Sequence, residues 1–456
     1  MVGERFRGEA RSLLSLGLPM MATQFCIMAM GFIDTAMAGH YDAVDLAGVA
    51  MGGNVLWPVF MLMTGLSMAL TPIVAQLRGA GRVGESGAVV RQGIWIALIA
   101  SVVTVVIVVQ AEPLYRWAGV DAEVTNIAMG YLRAVAWGVP ASMIYVALRH
   151  VAEGLGHTRP PMLIAVAALP VNAALNYVLI FGKLGFPELG GVGCGWATAA
   201  VFWTEPLLML FVVTRPYFRE TRLMERVDGP SWDAIRRILR IGAPIGATIF
   251  LEMAVFSVVG FLIGAMGVIT LAAHSIASNL SWLTYVIPMG LGSAASVRVG
   301  FFVGADDLGR ARFSAASAFR ISLVYAVLVS LLLVGLRHLL VGVYTDDPAV
   351  LALAANLVLL IAAFQIADDT QVTVGGALRG YKDTRVPMIC SLLGYWAVAL
   401  PIGAVLGYGW LGFPPLGVYG FWVGMTFGLT LVAVSLGVRL RWMSRDEKLV
   451  ARLARI

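Results

Sequence analysis

Apolar runs long enough to cross a lipid bilayer recur along the whole of this 456-residue chain, and no other feature limits its folding so strongly. A helix needs about 20 residues to cross a hydrocarbon core roughly 30 Å thick, and inside that core it must satisfy its own backbone hydrogen bonds. Spans are expected near 12–36, 46–75, 92–111, 128–148, 161–181, 191–213, 239–262, 270–297, 316–336, 350–375, 387–407 and 416–438, twelve in all. Composition agrees: 59% of the residues are hydrophobic and 13% charged, against about a quarter charged in soluble domains.

Basic residues in short loops favour the cytoplasmic side. With the N-terminus inside, the tails and the loops after even-numbered spans hold all but four of the 32 Lys and Arg, the exceptions being Arg116, Arg133, Lys183 and Arg337. Both termini are therefore expected in the cytoplasm. The net charge of +6 becomes an inner rim facing anionic lipid, and nucleic-acid binding is not indicated. Cys26, Cys194 and Cys390 are spaced too widely for a metal motif, and they argue for no disulfide.

The chain also repeats itself. Shifted by 225 residues, 14–80 superposes on 239–305 without a gap and over a quarter of the pairs are identical, among them Gly17 with Gly242, Pro19 with Pro244, Asn54 with Asn279, Trp57 with Trp282 and Gly65 with Gly290. GLGHTRPPM at 154–162 faces GYKDTRVPM at 380–388, and LGFPELG at 184–190 faces LGFPPLG at 411–417. Arg5, Arg7 and Arg11 before an apolar run ending in Ala36-Met37-Ala38 resemble a secretory signal. The internal twin of that run makes it a retained span.

Two six-helix bundles are thus expected: 1–213, then a basic cytoplasmic linker at 214–238, then 239–456 with a short basic tail. Six spans per copy make both enter from the same side, which relates them by a pseudo-twofold axis along the membrane normal and makes a central cleft the default substrate site. Pro19 and Pro244, at matching places in the first helix of each copy, remove a backbone donor and are candidates for helix bending.

Acids lie inside these apolar settings: Asp34 in the first span, Glu252 in the seventh, Asp368 and Asp369 in the tenth, with Glu205 beside Pro206 a further candidate. An ionised Asp near a bilayer centre costs roughly 2.5–3.5 kcal/mol on insertion scales. Asp34 faces Val259 in the repeat register and Glu252 faces Ile27, so each copy has its own acid. Lys and Arg are expected at the rims, which leaves these carboxyls to protons, water or mobile cations. Asp368 and Asp369 point about 100° apart on a helix, so one of the two is expected to face the cleft. Asn172 and Asn176 one turn apart, Thr198, the group Ser275, Ser278, Asn279 and Ser281, and Tyr285 one turn beyond Trp282 suit a hydrated, partly aromatic cation path. There is no G-x-x-x-x-G-K-[ST] loop and no H-E-x-x-H pair, and the five His are scattered, so neither ATP-driven work nor zinc enzymology is indicated.

With the duplicated twelve-helix plan, Asp34 fifteen residues after Pro19, Glu252 in LEMAVFS, Asp368 in QIADDTQV and the paired G-x-x-x-T-R-x-P-M loops in place, the chain resembles the multidrug and toxic compound extrusion family, and most of all its NorM-type bacterial branch. The resemblance implies an all-α, V-shaped integral membrane antiporter of the bacterial inner membrane. It would export cationic amphipathic compounds by alternating access in exchange for sodium ions or protons. It implies no enzyme activity and no cofactor beyond the transported ion, and it gives a monomer whose partners are organic cations and lipids. By position, Asp34 with Asn172, Asn176 and Thr198 would form an N-lobe site. Glu252, Asp368 and Tyr285 would form the C-lobe coupling site, with Glu252 and Asp368 holding sodium transiently. Asp34, Asp346, Asp347 and Asp369 would contact substrate. Members with a developed N-lobe ion site carry an acid where this chain has Asn176. The alternative within the same superfamily is a lipid or oligosaccharide flippase or a dedicated metabolite exporter.

Overall fold

The computed structural model describes residues 2–454, and every regular element among them is helical. Three long apolar helices open the chain: α1 (Val2–Tyr41), α2 (Ala43–Gly79) and α3 (Val83–Trp117). The fourth span, α4, is a broken pair, Ala122–Ala136 and Val139–Gly154, bent by 52°. Then follow α5 (Arg159–Ile180), α6 (Gly191–Val213), α7 (Trp232–Gly264), α8 (Val268–Gly304), α9 (Leu308–Gly342), α10 (Pro348–Gly380), α11 (Arg385–Tyr408) and α12 (Val418–Met443). Among the described residues eleven helices are long and apolar enough to cross a membrane, and α4 counted as one span makes twelve.

The break in α4 corrects the uninterrupted span expected at 128–148. Pro140 lacks the N–H that would bond the carbonyl of Ala136. The amides of Trp137 and Gly138 turn back to Ala134 and Val135 at 3.3 and 2.8 Å, while the Trp137 carbonyl accepts from the Trp203 indole at 3.0 Å. A Cβ on Gly138 would lie 2.7 Å from Ala199 Cα, so α6 packs into the bend.

Grouped by contact, residues up to Met21 go with Ala247 onward, and Ala22–Gly246 form the other unit. Met21 and Gly246 are 225 residues apart, so both transitions fall at one place in the repeat, two residues after Pro19 and Pro244. Those prolines lie inside α1 and α7, which run on through them. In the Ala22–Gly246 unit the start of α7 rests on α2, where a Cβ on Gly65 would meet Gly246 N at 2.6 Å and one on Gly242 would meet Leu66 Cα at 2.9 Å. In the other unit the start of α1 rests on α8: a Cβ on Gly290 would meet Met21 N at 3.0 Å, and one on Gly17 would touch Ala294 Cβ at 3.5 Å. These are the same contact in the repeat register, and only glycine lets backbones approach so closely. One half adds an ion pair, Arg298 Nε and Nη2 donating to Glu9 at 3.0 and 2.5 Å.

The linker is strapped down rather than free. Arg91 at the start of α3 donates to Asp228 at 2.6 Å and to the carbonyls of Arg222 and Leu223, and Trp95 donates to the carbonyl of Asp228 at 3.0 Å. In the unit that contains α8 to α12, a core centred on Phe364, Phe421 and Trp422 fixes α10 against α12. Within α11, residues Leu392–Ala399 widen to π-helical geometry, the Leu400 amide donating to the Tyr395 carbonyl five residues back.

Candidate coupling sites in the two units

Asp34 is held by three neutral donors from two helices. Oδ1 accepts from Asn172 Nδ2 at 3.1 Å and Asn176 Nδ2 at 2.5 Å, and Oδ2 accepts from Thr198 Oγ1 at 3.1 Å. The two amides also bond each other at 3.2 Å, and the Asp34 carbonyl accepts from the Cys194 thiol at 3.5 Å. This geometry depends on small residues at the head of α6: a Cβ on Gly193 would meet Leu179 O at 2.7 Å and one on Gly195 would meet Tyr131 O at 2.7 Å. The GVGCG run lets α6 lie directly on α4 and α5, which brings Cys194 and Thr198 to Asp34. The four residues expected to share an N-lobe polar site are thus brought together. Asp34 is only 6% exposed, however, and its oxygens are met by fixed dipoles rather than left open to passing cations. Asn176 Oδ1 is fully enclosed and is the one polar atom of this group left without a hydrogen-bond partner among the described residues.

Glu205 lies apart from this group. It is buried on α6, where the charge of Arg149 acts on it. Arg149 and His150 both pair with Glu153, at 3.5 and 3.1 Å.

In the other unit Glu252 from α7 accepts from Gln371 Nε2 at 2.6 Å. Asp368 lies three residues before Gln371 on α10, and it is within electrostatic reach of Glu252, Tyr285 on α8 and Tyr395 on α11. The Tyr285 ring packs edge-on against Trp282, centroids 5.4 Å apart, and the Trp396 indole donates to the Leu251 carbonyl at 3.2 Å, fixing α7 at the residue before Glu252. The trio Glu252, Asp368 and Tyr285 is brought together. Gln371 and Tyr395 join it, neither being among the residues expected there; the i, i+3 spacing of Asp368 and Gln371 was the available signal.

Three features of these sites go beyond the sequence reading. The acids are not without a fixed cation: Arg379, in the last turn of α10, acts electrostatically on Glu252 and Tyr285, and Arg149 does so on Glu205. Its place near a helix end made Arg379 look like a rim residue. Asp369, expected to meet substrate, is 0% exposed and accepts from Gln365 on its own helix at 2.6 Å. Asp347 is the N-cap of α10, accepting from the amides of Ala349 and Val350 at 2.8 and 3.3 Å. With Asp346 exposed beside it, it stands about 30 Å along α10 from Asp368 at 1.5 Å per residue.

Chemically, Glu252 and Asp368 lie within electrostatic reach of each other, and Arg379 acts on Glu252. A monovalent cation or a proton taken up there would lower the repulsion between the two acids.

A family model described as MatE matches residues 19–178 and 244–405, the two copies of the repeat. The chain is 38% identical over 445 residues to "Multidrug resistance protein MdtK" of Photorhabdus laumondii, covering 97% of each chain. It is 39% identical over 447 residues to the protein of the same name from Edwardsiella ictaluri, covering 98% of each. Among solved structures, the eukaryotic MATE transporter AtDTX14 superposes with a TM-score of 0.87 at 21% identity, over 98% of this chain and 99% of that one. The Vibrio cholerae MATE transporter VcmN in its bent form gives 0.85 at 17% identity, over 98% and 99%.

Proposed function

The chain belongs to the MatE family of multidrug and toxic compound extrusion transporters, and from that premise we propose that it exports cationic amphipathic compounds by alternating access in exchange for sodium ions or protons. Members of this family are transporters rather than enzymes. The observation that carries the reading is the group of Glu252, Asp368 and Tyr285 with Gln371, two carboxyls within electrostatic reach of each other in an apolar setting. Relatives named for multidrug resistance support the class of cargo. We place the protein in a bacterial inner membrane with both termini cytoplasmic, after the distribution of Lys and Arg.

An inward-moving cation neutralises the Glu252–Asp368 group in one state, and its departure restores the charge that attracts the next. The membrane potential adds roughly 2.3 kcal/mol per charge per 100 mV to inward movement. Asp34, enclosed by Asn172, Asn176 and Thr198, takes part through a proton or a direct contact with cargo once those donors part.

The test is efflux of a cationic dye from proteoliposomes under an imposed sodium gradient and then under a proton gradient. One of the two should drive efflux, and Glu252→Gln and Asp368→Asn should each abolish it. Efflux that ignores both gradients would defeat the antiport reading. Movement of a labelled lipid in the absence of any dye response would replace it with a flippase.

A further inference from the structure

The first turns of α1 have two unlike faces. One packs on α8, where Glu9 pairs with Arg298 and Gly17 touches Ala294, and Leu13 between them is 0% exposed. The other carries a groove of about 490 Å³ with Phe6, Arg7, Arg11, Leu14 and Leu18 among its walls. Leu14 and Leu18 are left 37% and 58% exposed there. The two arginines are exposed and stand one turn apart on the same side of the helix, so both guanidinium groups can reach one anion. Unlike Arg298 on the packed side, neither is in an ion pair among the described residues, and no acid among them lines the groove. The wall is apolar, so the arginines give it their carbon stems and keep their charged ends at its rim.

Depth in the membrane matches these two kinds of wall. The first span begins near residue 12, so Arg7 and Arg11 stand at the level of lipid headgroups, and Leu14 and Leu18 lie about 5 and 10 Å farther along the axis, within the hydrocarbon. We propose that this groove binds one anionic phospholipid, its phosphate held by Arg7 and Arg11 and the first part of an acyl chain laid against Leu14 and Leu18. Arginine meets phosphate oxygens in a fork of charge-assisted hydrogen bonds, and basic pockets at the cytoplasmic level of membrane helices take anionic headgroups in this way. A free phosphate would meet the arginines but leave the two leucines uncovered. A cationic amphipathic compound, the class proposed as cargo, would cover the leucines but be repelled by the arginines, as would the ammonium of a zwitterionic headgroup. The lipid would brace the open side of α1 just ahead of Pro19, and its binding does not depend on which ion drives transport.

The experiment uses the purified full-length protein in neutral detergent, titrated with phosphatidylglycerol, phosphatidylcholine or inorganic phosphate while thermal unfolding is followed. Phosphatidylglycerol should raise the unfolding temperature of the wild type saturably, and the other two should not. The double variant Arg7→Gln with Arg11→Gln should bind phosphatidylglycerol at least about tenfold more weakly. Arg441→Gln with Arg445→Gln removes the same charge from exposed positions of the same unit and should keep the wild-type response. Phosphatidylglycerol with a photoreactive diazirine on its acyl chain should label the α1 peptide that contains Leu14 and Leu18, and unlabelled phosphatidylglycerol should suppress that labelling. Equal protection by phosphatidylcholine or by phosphate, an equal loss in the Arg441–Arg445 variant, labelling that misses α1, or displacement of the label by a cationic dye would each overturn the proposal. Should the Arg7–Arg11 variant fail to fold, the labelling of the wild type decides the matter.

Discussion

Two neighbouring glycines on α10 should respond to the same substitution in opposite directions. A Cβ on Gly376 would lie 2.5 Å from the carbonyl carbon and 2.6 Å from the Cα of Gly292 on α8, with Gly292 O closer still. Carbon atoms in ordinary contact are about 3.5–4.0 Å apart, and the obstacle is backbone, so α8 and α10 must separate by about 1 Å. Overpacking of this kind costs about 1–3 kcal/mol. Gly375 has nothing within 4 Å of its would-be Cβ, so Gly375→Ala should stabilise the helix by up to about 1 kcal/mol. The two variants should differ by about 1–4 kcal/mol in total. Because α8 carries Tyr285 and α10 carries Asp368, Gly376→Ala should also lower dye export, whereas Gly375→Ala should leave it intact. Thermal unfolding of the purified protein and export from proteoliposomes measure the two effects. Equal unfolding temperatures and equal export for the pair would refute the claim that the Gly292–Gly376 contact sets the geometry of the site.

Four further outcomes follow from particular contacts. Asn176→Asp places a second carboxyl beside Asp34, and sodium should then raise its unfolding temperature more than that of the wild type; an identical sodium response would refute this. Burial in the turn between α10 and α11 lowers the Lys382 ammonium from 10.5 to about 8, so between these values the unfolded chain binds the extra proton and stability rises with pH. The cost of burying the charge, up to about 3 kcal/mol, is therefore present below pH 8 and relieved toward pH 10.5. Lys382→Met should remove that rise from the stability profile and weaken the hold on the short helix Glu447–Ala454, whose last carbonyl accepts from Lys382 Nζ at 3.1 Å. Glu9→Gln should cost about 1.5–3 kcal/mol by taking a charged acceptor from Arg298, read as a lower unfolding temperature, while Arg82 in its exposed pair with Glu85 should be replaceable by Ala without measurable change.

The spans and the duplication were legible because both are long-range patterns carried by many residues at once, so no single position decides them. The grouping of Asp34 with Asn172, Asn176 and Thr198, and of Glu252 with Asp368 and Tyr285, was legible only through the resemblance, since spacing alone does not show that α1 meets α5 and α6. Where one residue or one turn decides the outcome, the sequence was silent. Pro140 breaks α4 because Trp203 and Ala199 are there to fill the bend, and neither is near it in the chain. Arg379 reads as a rim charge until the packing of α7 and α8 against α10 brings Glu252 and Tyr285 within its reach. Asp368 and Asp369 differ in sequence by one position, and only the placement of Gln365, Ser322 and Tyr325 shows that they face different neighbours.

Each copy of the repeat lends its first turns, those of α1 and of α7, to the unit that the other copy mostly builds. A polypeptide severed in the linker gives two fragments, and neither owns a complete set of turns for the bundle it mostly builds. The first would lack the Gly242–Gly246 stretch that covers Leu62 and Leu66, and the second would lack the Gly17–Met21 stretch that covers Gly290. Each would carry a groove one helix wide until its counterpart arrived, so either half can be replaced by a distant cousin's only if the borrowed turns are replaced with it.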